Sequence, residues 1–103
     1  MSSLTISKQG TDCFSVEGDL TFAAISARLT TLFAFLTPSK QITIDFTQVT
    51  SADSAGLALL IEWKKIARTN KSQLVLKNIP KQLLMLAGLS GFDLTSHFTI
   101  QPD

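Results

Sequence analysis

The sequence predicts an α/β fold: a four- to five-stranded, mostly parallel sheet with an N-terminal hairpin, packed against three or four helices. Short segments of strict apolar and polar alternation mark the strands, and longer segments with apolar residues at helical spacing mark the helices. The order supplies the topology. Two strands come first, and from there a helix separates each strand from the next, so right-handed crossovers set those strands parallel. Because the second and third strands alternate and are not continuously apolar, one face of the sheet is expected to be better covered than the other.

Leu4 and Ile6 alternate with Thr5 and Ser7, and Phe14 and Val16 with Ser15 and Glu17, while Gly10 and Asp12 lie between. That is the hairpin. Gly18-Asp19 is expected to break the second strand, with Asp19 or Thr21 accepting the free N–H groups of the helix that follows. In that first helix, about 21–36, Phe22, Ile25, Leu29, Leu32, Phe33 and Leu36 form one stripe, which marks them for burial. Pro38 stops it. Phe35 lies off the stripe, placed either to widen an outer surface or to tuck under the chain reversal at Pro38. The third strand covers 41–47, with Ile42, Ile44 and Phe46 on one side and Thr43 and Asp45 on the other. A second helix runs from about Ala55 to Thr69 and a fourth strand from Leu74 to Leu76. Pro80 opens a third helix to about Leu89, closed by Gly88 or Gly91, and His97–Ile100 is read as a short fifth strand.

At 103 residues the chain is expected to be a single domain, 1–103. With 45% hydrophobic and 17% charged residues it has globular, not disordered, usage. Nine Lys and Arg against eight Asp and Glu leave a net charge of +1, too weak a field to recruit nucleic acid or an anionic membrane. Met1-Ser2-Ser3-Leu4 lacks the pattern of an export signal, so the expected compartment is the cytoplasm. The most apolar run, Ala55 to Ile61, is far shorter than the roughly 20 residues a spanning helix needs. Membrane association would have to come through a partner.

Catalytic chemistry finds little to work with. His97 is the only histidine and Cys13 the only cysteine, far apart in sequence, so no zinc-ligand spacing exists and no metal or cofactor is expected. Gly88-Leu89-Ser90-Gly91 is too short for a phosphate loop and no Gly-Lys-Ser/Thr follows it. No nucleophile and base, and no carboxylate pair, stand at a catalytic spacing. His97 is read as a satisfied or exposed strand residue, and Cys13, within the second strand, as buried and inert. A non-enzymatic binding module is the expectation.

Information concentrates where the third strand hands over to the second helix, through Asp53-Ser54-Ala55-Gly56-Leu57. Such junctions lie beyond the carboxyl ends of strands, where open α/β sheets carry function. A bland role suffices for part of it: Asp53 or Ser54 is an N-cap and Gly56 allows close packing on the sheet. A projection at about 100° per residue adds more, grouping Gly56, Leu59, Leu60, Trp63, Ile66 and Ala67 on a face toward the core. The opposite arc holds Ser54, Leu57, Ala58, Ile61, Lys64, Lys65 and Arg68. A hydroxyl, three apolar side chains and trailing cations on one outer strip suit a docking surface, although scattered exposed apolar residues are also ordinary. Ser54 is in addition a candidate phosphoacceptor, because a phosphate there would place about −1.5 to −2 charges at a helix N-terminus.

The runs Gly18-Asp19-Leu20-Thr21-Phe22-Ala23, Ile44-Asp45-Phe46-Thr47-Gln48-Val49 and Asp53-Ser54-Ala55-Gly56-Leu57-Ala58-Leu59-Leu60 resemble a STAS domain, as does the order of elements. The resemblance is closest to MlaB-type accessory subunits of phospholipid-transporting ABC complexes, with the anti-sigma factor antagonists second. Those antagonists more often read Ser-Ser-Gly, where this chain has Ser54-Ala55-Gly56. The first branch implies a cytoplasmic subunit, peripheral to the bacterial inner membrane, held against an MlaF-like ABC ATPase and through it the permease. That branch implies that Ser54, Leu57 and Ile61 face the ATPase; joined to the outer strip read above, the expected partner-binding residues are Ser54, Leu57, Ala58, Ile61, Lys65 and Arg68, after the turn Asp53, Ala55 and Gly56. The second implies phosphorylation of Ser54 by a partner kinase. On this reading a charge at Leu57 or Ile61 abolishes partner binding and leaves stability within about 0.5 kcal/mol.

Overall fold

The hairpin of β1 (Leu4–Gly10) and β2 (Cys13–Leu20) turns at Asp12, whose φ of 54° is a left-handed conformation that aspartate tolerates. The computed structural model describes residues 3–101; Met1 and Ser2, which entered the reading of the N-terminus, lie outside the described residues. At the hairpin tip the Asp12 carbonyl accepts the Thr43 N–H at 2.8 Å and its carboxylate the Ser39 hydroxyl at 2.7 Å. These bonds fasten the hairpin to the start of β3.

Gly18-Asp19 does not break β2, which continues to Leu20. Gly18 has φ 104°, and a Cβ there would lie 2.2 Å from the Ser3 carbonyl oxygen, so the missing side chain is what lets β1 stay alongside. The Asp19 N–H then donates to that carbonyl at 2.8 Å. The extension has a second consequence: β3 runs from Gln41 to Ala52, past the expected end at 47, because Glu17–Leu20 gives its second half a partner. β4 (Gln73–Lys77) and β5 (Thr99–Gln101) complete the sheet in the order β1-β2-β3-β4-β5, with only β1 and β2 antiparallel.

One face of the sheet carries Leu4, Val16, Leu20, Ile42, Ile44, Phe46, Leu74 and Leu76, all buried. The other carries Thr5, Glu17, Thr43, Asp45 and Lys77, none of them buried, together with Ser15 and Val75, which are. Period-two alternation thus becomes one helix-covered face and one polar face, as expected.

The first helix is shorter than its stripe predicts: α1 spans Phe22–Arg28, and a single 3-10 turn follows at Leu29–Thr31. Leu32 and Leu36 still reach the core from irregular chain. Two donors hold that chain out of the helix: the buried Trp63 indole N–H bonds the Leu32 carbonyl at 2.9 Å, and the Asn70 amide the Leu36 carbonyl at 3.1 Å. Phe35 turns inward, its ring 5.0 Å from Phe14 and 5.1 Å from Trp63, in tilted and edge-to-face contacts. Phe22 and Leu29, read as buried, are 70% and 52% exposed. A helix that ends after seven residues cannot carry the whole stripe toward the sheet.

α2 (Ser54–Thr69) packs against the sheet between α1 and α3 (Lys81–Leu89). Pro80 precedes α3 as its N-cap, and the chain leaves through Gly91 at φ 72°, with the Phe92 N–H returning to the Ala87 carbonyl at 2.9 Å. A short α4 (Leu94–His97), capped by Asp93, occupies what was read as the start of the last strand. His97 therefore ends a helix, exposed and stacked on Phe92 at 4.5 Å. Cys13, at the first position of β2, is exposed and not buried.

Candidate docking site on the second helix

β3 ends at Ala52, whose N–H is taken by the Gln82 side chain of α3 at 2.9 Å. Asp53 then caps two helices at once. One carboxylate oxygen accepts the Ala55 N–H of α2 at 2.9 Å, and the other the Phe22 N–H of α1 at 3.1 Å. Neither Asp19 nor Thr21 caps α1: the Asp19 carboxylate is turned to β3, and the Thr21 hydroxyl is buried with no partner among the described residues. The reason is geometric. β2 and β3 end side by side, so the helices that follow start side by side, and one carboxylate reaches both sets of free N–H groups.

Asp19 holds the strand ends together. Hydroxyls of Thr50 and then Ser51 donate to it at 2.6 and 2.8 Å and keep its carboxyl below the ordinary range. A depressed folded value means its stabilisation is complete above the unfolded pKa of about 3.9 and disappears as pH falls through the folded value. Asp19→Asn is therefore expected to lower the denaturation midpoint at neutral pH and to match the parent chain in strong acid. Urea titrations at the two pH values check this, and an equal deficit at both would contradict it.

Gly56 sits where α2 comes down on the sheet: a Cβ there would meet the Leu20 carbonyl oxygen at 2.7 Å and the Leu20 Cβ at 3.1 Å. This contact fixes the rotation of α2, with Leu59, Leu60, Trp63 and Ala67 inward as expected and Ile66 half-buried. Ser54, Ala58, Lys65 and Arg68 are exposed and Ile61 is half-buried, so five of the expected docking residues share the outer side. Leu57 does not. It is 5% exposed and belongs to the core. The projection assumed a helix buried along one narrow arc, whereas a helix flanked on both sides buries a wider one, and Leu57 falls within it.

The pattern missed an apolar groove of about 260 Å³ between α1 and α2, lined by Phe22, Ile25, Leu29, Ala55 and Ala58 among others. Its signal was present in Phe22 and Leu29, whose large side chains the stripe reading had assigned to the core. At the other end of α2, Lys65 meets Glu62 at 3.2 Å on the surface, and Arg68 lies a turn further on. The outer side of α2 thus grades from hydroxyl and apolar to basic. Among the described residues, no group of three or more His, Cys, Asp or Glu could hold a metal ion, and no helix is long and apolar enough to cross a membrane.

No curated protein matches the chain. Among solved structures, the anti-sigma factor antagonist SpoIIAA in its unphosphorylated form is similar, with a TM-score of 0.66 at 11% identity over 95% of this chain and 86% of that one. That likeness is one of fold. The family model described as "Mlab, STAS domain" matches residues 5–99, which take in the hairpin, the double cap and the helices on either side of it; the chain belongs to this STAS family.

Proposed function

We propose that the protein is a non-enzymatic accessory subunit of a Mla-type phospholipid-transport ABC complex, cytoplasmic and peripheral to the bacterial inner membrane. It binds the ATPase subunit and stabilises or activates it through the outer side of α2. Ser54 and Ala58 meet the ATPase at the start of the helix, Ile61 lies between, and Lys65 and Arg68 supply charge at the end. Asp53, Ala55 and Gly56 set the helix in place. The observation that carries the reading is the family match over residues 5–99, joined to an outer strip that an internal contact holds in a fixed orientation. A partner surface with an apolar projection and acidic residues one helix-length away would complement it.

A second reading, an anti-sigma factor antagonist switched by phosphorylation of Ser54, has the exposure of that residue in its favour. Against it, the Ala55 N–H is already bonded to the Asp53 carboxylate and the Gly56 N–H to the Asp53 carbonyl. A phosphate on Ser54 would find those donors taken and a carboxylate next to it. Affinity purification of the tagged chain from its own cells separates the readings. An ABC ATPase and a permease are expected to come with it, with Ser54 unmodified by mass spectrometry; a small kinase together with a phosphate on Ser54 would overturn the proposal.

A further inference from the structure

After Lys81 and Gln82, α3 has no polar side chain. Leu83 and Ala87 fill the core, yet Leu84, Met85 and Leu89 remain 49%, 65% and 81% exposed on the outer side. A helix that is apolar all round belongs in an interior, and the monomer covers only half of this one. Beside it runs a groove of about 380 Å³, walled by Leu84 and Gly88 of α3 and by Phe92 and Leu94 after it, with Asp93 at its edge. One surface therefore carries both projecting side chains and a recess.

We propose that this surface binds a second copy of the chain, α3 against α3 about a two-fold axis. A surface with knob and recess side by side fits itself when rotated, each copy's Met85 and Leu89 entering the other's groove. Charge selects this arrangement. Lys81 stands at the start of α3 and Asp93 just past its end, both exposed, and neither enters an ion pair among the described residues. With the two-fold axis perpendicular to α3 the helices run antiparallel, which sets each Lys81 toward the other copy's Asp93 and opposes the helix dipoles. A parallel neighbour would set like charge on like. A lipid surface fits less well, since interfacial helices carry a strongly basic polar face and this one offers a single lysine.

Sedimentation velocity on the full chain over a concentration series tests the proposal. A monomer–dimer equilibrium that goes no further is expected. Leu89→Glu and Met85→Glu change exposed positions, so each keeps the parental melting curve while the dissociation constant rises by about 100-fold, as at a central interface residue. Lys81→Glu weakens the dimer and Lys81→Arg does not. A parent chain that stays monomeric at every concentration overturns the proposal. So does a dimer that survives Leu89→Glu with its affinity unchanged, or a monomer that sediments with anionic phospholipid vesicles.

Discussion

Leu57→Asp is expected to leave no cooperatively folded protein at 37 °C. The side chain is 5% exposed and belongs to the hydrophobic core cluster. Burying an unpaired charge costs several kcal/mol, and the leucine's own packing, about 2–5 kcal/mol in comparable cores, is lost with it. Domains of this size have about 5–15 kcal/mol in total. Lys65→Glu, on the exposed side of the same helix, should melt within a degree or two of the parent chain. Far-ultraviolet circular dichroism on heating distinguishes the two, and a parental melt for Leu57→Asp would restore Leu57 to the outer strip.

Gly56→Ala is expected to lower the melting temperature by about 5–15 °C, although alanine is intrinsically the better helix residue by about 1 kcal/mol. The added methyl would lie 2.7 Å from the Leu20 carbonyl oxygen, which is strand backbone and cannot step aside as a flexible side chain would. Either α2 lifts from the sheet or β2 bends, and overpacking of this kind costs about 1–3 kcal/mol beyond the propensity gain. Lifting α2 would also pull the Ala55 N–H from Asp53 and disturb the cap that α1 shares. The variant should therefore lose protection from hydrogen exchange in the first turns of both helices together. Loss confined to α2 would contradict the shared cap.

Strand alternation and helix stripes were enough to read the hairpin, the parallel order, the inward face of α2 and the turn at Asp53, because each depends on residues near in sequence. What was misread depends on neighbours distant in sequence. Gly18 looked like a strand breaker, since glycine weakens strands, but with φ 104° and no side chain it admits the Ser3 carbonyl just before β1. The apolar stripe from Phe22 to Leu36 looked like one helix, but Trp63 and Asn70 take the carbonyls of Leu32 and Leu36. Leu57 looked outward because a projection has no knowledge of α3. The same blindness hid the groove at Phe22 and Leu29, as exposure is a property of what fails to pack against a residue. Asp53 was legible as a cap for its own helix and not for α1, whose start lies some thirty residues earlier in the chain.

The most direct measurement is the affinity of the purified domain for the ABC ATPase subunit proposed as its partner, comparing the parent chain with Ala58→Glu. Ala58 is exposed, borders the groove between α1 and α2 and is not part of the core cluster, so a longer side chain there breaks no core packing. Loss of binding by about 100-fold with an unchanged melting curve is the expected result. Unchanged affinity would show that the ATPase, if it binds at all, does so elsewhere, and that the outer side of α2 is ordinary solvent-facing surface.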